Sequence, residues 1–408
     1  MNRAARAAGL ASELDDRAGW PARSTRWVRS VAIGDPQCHA AKLFAVLDHA
    51  GVLGDDGRLR PDVQLVSIGD HFDFGTRAAG TLDDARRDGP AVLRWLCAHD
   101  PAQVTVLVGN HDLARVDELA AADDATFAAA ALAAPAVLAE RAAEPGAYAA
   151  ALRAYAAQFP GLPGPGLVLR DLAAFTEAQR RLVQHQLTAR RMTLATTARA
   201  PSGRALLLTH AAVTEREVAG LGLAATAGAD EVAAALQGLL VAAVAAVAPA
   251  WRRGEVARPA LAPVHVGAAT ALVDEDLPEG GGLLYHRPAD PERPGADRRW
   301  EREAVRPRRY HPRALPRGLA QVCGHTGHPK CVAELARFCD PPLAETLSGR
   351  RTLEVDRVGR VRYRLGIHPG DADGAVLYLI DPSLHRAPDP AAVELLELAP
   401  GSVTGGPT

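Results

Sequence analysis

Five apolar runs of β-strand character each end, on the carboxyl side, in a residue able to hold a metal ion, and this repetition confines the chain to a sheet whose strand ends converge. Val63 to Ile68 leads into Gly69-Asp70-His71-Phe72-Asp73. Trp27 to Ile33 leads into Gly34-Asp35-Pro36-Gln37, and Val104 to Val108 into Gly109-Asn110-His111-Asp112. Leu206 to Thr209 leads into His210, and Gln321-Val322-Cys323 into Gly324-His325-Thr326-Gly327-His328. Short continuous apolar runs read as buried strands of the parallel type, and open α/β sheets bind ligands at the carboxyl ends of their strands. A single Gly-Asp after a strand is an ordinary turn or helix cap. Five such ends in order form a metal-site constellation, and the mixture of oxygen and imidazole donors suits Mn, Fe or Zn rather than an all-oxygen Mg cage.

The segments between these ends predict the layers. Ala40 to Ala50 sets Leu43, Phe44, Val46 and Leu47 on one helical face, and Asp83 to Ala98 does the same with Val92, Leu93, Trp95 and Leu96. This β-α-β alternation predicts a sheet with parallel strands, covered on its faces. Residues 113–204 turn Ala-rich and read as a helical insertion broken at Pro135, Pro145 and the Gly-Pro cluster from Pro160 to Gly166. A second insertion, 213–318, combines a helix with an Arg- and Pro-rich stretch. Within it, Val232 to Ala250 is apolar enough to raise the question of a membrane span. Its Ala content, with Gln237, Gly238 and Pro249, makes a buried or half-buried helix the better reading. Trp251 to Arg317, with His265, Tyr285, His286, Tyr310 and His311, is either an irregular surface excursion or a loop supplying phosphate-binding arginines.

At 408 residues and 48% hydrophobic content the chain can bury a sizeable core, and its net charge of -2 exerts no global pull on nucleic acid or anionic membrane. Neither partner is expected. Five cysteines, an odd number with no visible signal peptide, read as reduced thiols in a cytoplasmic protein. Residues 1–30 read as a loose N-terminal arm, 31–387 as the domain that carries the motifs, and 388–408 as a fraying tail.

Asp35, Gly69-Asp70-x-x-Asp73, Gly109-Asn110-His111-Asp112, His210 and Gly324-His325 follow, in order, the motif pattern of the calcineurin-like metallophosphoesterases. The chain resembles that superfamily. Tyr378-Leu379-Ile380-Asp381-Pro382-Ser383-Leu384 is similar to the closing strand of bacterial PPP-like phosphatases. The resemblance implies a calcineurin-like two-sheet α/β sandwich of four layers, with two divalent metal ions at one edge. Asp70, whose two carboxylate oxygens can bridge, would sit between the metals. Asp35 and Gln37 would complete one shell, and Asn110, His210 and His325 the other. His111 would be the general acid, oriented by Asp73.

The departures from the pattern shape the expected chemistry. Gln37 stands where the superfamily usually has His, a place also taken by Gln in manganese-dependent ADP-ribose/CDP-alcohol diphosphatases, so manganese is the first expectation. His39 reads as a structural or solvated His, with a swing into the first metal as the alternative. His328 falls one residue later than the usual second His, and either reaches the first metal or is an ordinary loop residue. Phe74 replaces the phosphate-gripping Arg of protein phosphatases and reads as core packing, with stacking on a base or aromatic leaving group as the alternative. The expected function is a phosphomonoesterase acting on a phosphorylated small molecule, nucleotide or phosphoprotein. The alternatives are a nucleotide pyrophosphohydrolase or phosphodiesterase of the ADP-ribose or dinucleotide type, and a non-catalytic pseudophosphatase that binds a protein partner.

Overall fold

The computed structural model describes residues 2–24, 26–74, 80–143, 145–264, 266, 280–292, 308–340 and 349–404. Alternation along β1 (Arg29–Gly34) shows how the layers arise: Val31 and Ile33 point to a helical layer, and Ala32 to a second sheet. β1 pairs in parallel with β2 (Val63–Ile68), β2 with β3 (Val104–Leu107), and β3 with β4 (Met192–Thr193). The second sheet has β9 (Ala320–Cys323) at its centre, parallel to both β6 (Ala205–Thr209) and β12 (Ala375–Leu379). β5 (Ala195–Arg199) pairs antiparallel to β6 on one side, and β10 (Arg351–Val355) and β11 (Val361–Leu365) extend the other side antiparallel. The turn between β10 and β11 is made by Gly359 at φ 81°. A short parallel pair, β7 (Arg287–Pro288) with β8 (Arg309–Tyr310), stands apart.

The two sheets pack face to face through Ala32, Val66, Ile68 and Leu107 on one side and Leu206, Leu208, Val322 and Tyr378 on the other. Helices α2 (Ala40–His49) and α3 (Leu82–Ala98) cover the first sheet, and the rings of Phe44 and Trp95 meet edge to face at 5.0 Å. This is an α/β sandwich of two sheets between helical layers.

Two terminal expectations are corrected. The N-terminal segment carries α1 (Arg3–Glu13), whose Ala4, Ala7 and Ala11 are buried within the helical core layer, so it is a packed element and not a loose arm. Alanines spaced at three and four residues give close helix approach with little hydrophobic signal. Likewise the C-terminal stretch is not a fraying tail. Leu396–Leu398 forms β13, antiparallel to β1, and buries Leu396 and Leu398 between the sheets while Glu397 pairs with Arg29 at 2.6 Å.

The first insertion begins with α4 (Asn110–Ala114) and continues through α5 (Asp124–Ala143), α6 (Pro145–Gln158), α7 (Pro165–Leu169) and α8 (Glu177–Thr188). Phe127, Ala130, Tyr155, Phe159, Leu167, Val168 and Phe175 form a separate core there. The helical stretch is shorter than 113–204: residues 192–199 return as β4 and β5, because Thr196 and Thr197 suit the pleat. The second insertion holds α9 (Glu215–Gly220) and α10 (Ala229–Arg252). By length and composition α10 could cross a bilayer; here Val232, Leu236, Leu240 and Val244 join the core beside Ala195 and Leu207. Of the aromatic and histidine residues noted in the Arg- and Pro-rich stretch, His265 lies outside the described residues. The last helix, α11 (His328–Leu335), packs Cys331 and Leu335 on the outer face of the second sheet. All five cysteines are free thiols.

Candidate metal centre

The turn after β2 brings its carboxylate to the sheet edge through unusual backbone. Gly69 at φ 70° is followed by Asp70 at φ 54°, and Asp73 (φ 64°) and His325 (φ 62°) also occupy the left-handed region. Such conformations are costly for residues with a side chain and concentrate at functional sites. Gly69 and Gly109 permit the close approach. A Cβ on Gly69 would lie 2.6 Å from the Cα of Gly109, and one on Gly109 would lie 2.1 Å from Asp70 Oδ1.

Asp70, Asn110, His210 and His325 converge from four elements, all buried. Donor atoms of Asp70, His210 and His325 lie within 4.8 Å of one another. His210 Nε2 is 3.0 Å from Asn110 Oδ1, 3.2 Å from His325 Nδ1 and 3.4 Å from Asp70 Oδ2. The tautomers follow from the other ring nitrogens. His210 Nδ1 faces the carbonyl of Ile68 at 3.0 Å, and His325 Nε2 that of Tyr285 at 2.9 Å. A carbonyl only accepts, so each ring donates there and presents a lone pair to the centre. Two imidazole nitrogens, an amide oxygen and a carboxylate gathered in this way fit a divalent transition-metal ion.

A second group of oxygens lies beside the first. Asp35, at the end of β1, accepts the backbone N–H of His325 with both oxygens at 2.9 Å. With Gln37, Asp70, His111 and Asp381 it lines a cavity of about 110 Å³. Gln37 Nε2 is buried without a hydrogen-bond partner. The Gln amide has the same shape either way round, so this position can equally present its oxygen, and an unpaired oxygen beside two carboxylates fits a cation. Burial and the neighbouring Asp381 charge raise the Asp35 pKa well above the usual carboxylate value. For Asp70 the raising effect of burial is outweighed by His210 and His111, which hold its carboxyl below that range.

His111 stands at the same cavity. Its backbone N–H donates to Asp70 Oδ1 at 2.9 Å, and its Nδ1 donates to Asp73 Oδ2 at 2.9 Å, leaving Nε2 towards Asp70. Burial lowers the basicity of His111, but Asp70 and Asp73 outweigh it and push its pKa up to about 9. Asp73 is itself fixed by Arg115 Nη1 at 2.5 Å and the Ala174 N–H at 3.2 Å. Arg115 lies over the Phe72 ring and reaches Gln179.

The structure separates two histidines from this group. His39 is held towards α3, with Nδ1 3.4 Å from Asp88 Oδ2. His328 stacks on Tyr363, and its Nδ1 lies 2.8 Å from Tyr363 Oη, at the outer face of the second sheet. Phe74 is buried with Ala85 and Ala174, as core packing requires.

Sequence reasoning passed over several residues that shape the site. Asp112 is one. Arg287, from the Arg- and Pro-rich stretch, and Lys330, from the first turn of α11, line the same cavity as the carboxylates. Their charges face each other: Arg287, with burial, lowers the Lys330 pKa to about 8. The signal for Arg287 was one basic residue among many in its stretch, and nothing in the sequence singled out Lys330. No family model matches the chain, and no curated protein matches it in sequence.

Proposed function

We propose that the protein is a metal-dependent phosphoester hydrolase with a dinuclear centre, acting on phosphomonoesters. The observation that carries this reading is the fourfold convergence of Asp70, Asn110, His210 and His325 beside the His111–Asp73 pair. The motif resemblance to the calcineurin-like metallophosphoesterases supports it. Asp70, Asn110, His210 and His325 would hold one ion, and Asp35, Gln37 and Asp70 the other, with manganese the proposed metal. Divalent ions there would supply positive charge to the phosphoryl oxygens and lower the pKa of water.

The chain's own residues supply the remainder. Asp73 holds Nδ1 of His111, so that Nε2 carries the proton that the departing oxygen needs. Arg115 keeps Asp73 in place. Arg287 and Lys330 bring two positive charges to the cavity wall where a dianionic phosphate would bind, compensating for Phe74 in the position of the usual Arg.

The test is hydrolysis by the Mn2+-loaded protein of an aryl phosphate monoester, an aryl phosphodiester, ADP-ribose and dinucleotides, together with elemental analysis. Metal-dependent turnover of the monoester in preference to the others is expected. Preference for ADP-ribose or a dinucleotide would replace the monoesterase by a pyrophosphohydrolase, and a protein that stays metal-free would overturn both.

A further inference from the structure

Three consecutive residues of the second insertion reach the centre in three ways. The carbonyl of Tyr285 accepts from His325 Nε2 at 2.9 Å and sets that ring's tautomer. Arg287 lines the cavity. His286, between them, donates from Nε2 to the carbonyl of Ala212, two residues beyond His210. A strap that touches a ligand ring and the cavity wall together has to be held from behind, and two buried glutamates stand there.

Glu118, in the turn after α4, accepts the hydroxyl of Tyr285 at 2.5 Å and the N–H of Gly280 at 3.2 Å on one oxygen. Glu217, in α9, has its Oε2 occupied by Thr214, through N–H at 2.8 Å and the hydroxyl at 2.5 Å. Its Oε1 lies 3.8 Å from Nδ1 of His286, and both atoms are buried without a hydrogen-bond partner. Nε2 already donates to a carbonyl, so Nδ1 is the ring atom that faces the carboxylate. The Tyr310 ring packs on His286 with centroids 4.8 Å apart.

We propose that Glu118 and Glu217 are positioning residues: they anchor Tyr285 and His286, and so place the Tyr285 carbonyl on His325 and the Arg287 guanidinium in the cavity. The kinetic consequence rests on the phosphoesterase reading, whereas the anchoring does not.

Glu217→Gln and Tyr285→Phe remove one anchor each without touching a ligand or Arg287. Loss of a well-placed charged contact to phosphate is worth about tenfold or more. For each variant, KM for an aryl phosphate and the Kd for inorganic phosphate on the Mn2+-loaded protein should therefore rise by about that factor, and in Glu217→Gln kcat should change by less than about threefold. Amide deuterium uptake should rise across Gly280–Glu292 while uptake in α5 and α6 stays as in the parent. Parent-like uptake in 280–292 overturns the proposal, as does uptake rising throughout in step with lowered stability while phosphate affinity is kept. Should the parent bind no metal and hydrolyse nothing, the hydrolase reading fails and the uptake data still decide the anchoring.

Discussion

The carboxylate of Asp112 accepts the backbone N–H of Asp70 at 3.0 Å, so one buried acid aims another. The same oxygen accepts the N–H of Gly109 at 2.8 Å and lies 3.0 Å from Nδ1 of His71, and its partner oxygen accepts the His71 N–H at 3.0 Å. His71 is closed on its other side by Ser67 Oγ at 3.0 Å. The ends of β2 and β3 are thereby tied by a single side chain, which stabilises the left-handed backbone at Asp70.

Asp112→Asn should destabilise the fold and loosen the proposed metal site together. An amide has one oxygen where the carboxylate has two, so its NH2 group would confront an N–H donor. Leaving such donors unsatisfied in the interior costs roughly 2–4 kcal/mol. Denaturant unfolding should show a loss of that order, and calorimetric Mn2+ titration a weaker affinity. A stable variant with parent-like metal binding would remove Asp112 from this role.

Asp70→Asn and His111→Ala should fail differently. Asp70 belongs to both proposed shells, so its variant should lose metal as well as turnover. His111 touches the site through Nε2 and a backbone N–H, so His111→Ala should keep its metal by elemental analysis and lose roughly 10²–10⁴-fold in kcat. A His111→Ala enzyme within about threefold of the parent would exclude it as the acid, since general acid catalysis contributes far more.

What the sequence made legible was whatever depends on period and residue type along a short window. The apolar runs before Asp35, Asp70, Asn110, His210 and His325 are the strands β1, β2, β3, β6 and β9, and their ends do meet. What remained hidden depends on partners distant in the chain. The turning of His328 onto Tyr363 is decided by packing on the second sheet, and no local pattern distinguishes that His from one facing the cavity. Arg287 and Lys330 meet at the cavity only through the path of the second insertion. The α1 helix and the three-residue β13 were missed because an alanine face and a single alternation carry too little signal.

Gln37 gives a sharper test of the proposed metal position formed with Asp35 and Asp70. With His328 held at Tyr363, the donors proposed there are oxygens from Asp35, Asp70 and Gln37, with Asp381 on the same cavity, a set that favours Mn over Zn. Gln37→His should tighten this site and shift it towards Zn2+, and Gln37→Ala should weaken it while the site of Asn110, His210 and His325 stays nearly unchanged. Stepwise titration with each metal separates the two. Equal binding steps in Gln37→Ala and the parent would mean that Gln37 is no ligand. His328→Asn should leave both steps alone.

The last prediction concerns His99, remote from the centre. Both ring nitrogens are committed in the neutral form: Nδ1 donates to the Trp95 carbonyl at 2.8 Å, and Nε2 accepts the Leu59 N–H at 3.1 Å. Trp20 and Trp95 pack edge-on against the ring at 4.6 Å and 4.5 Å. Burial, reinforced by Arg23, Arg58 and Arg191, lowers its pKa to about 3 from the usual 6.5. The unfolded chain therefore binds this proton more readily than the native one. The neutral ring's contribution is complete above pH 6.5, and it declines as pH falls towards 3. At pH 5 the loss from this residue alone is about 2 kcal/mol. Unfolding free energies measured at pH 7 and pH 5 should differ by that much more in the parent than in His99→Gln, which cannot titrate. If the two proteins lose stability in parallel between pH 7 and pH 5, His99 is not the group that senses acid.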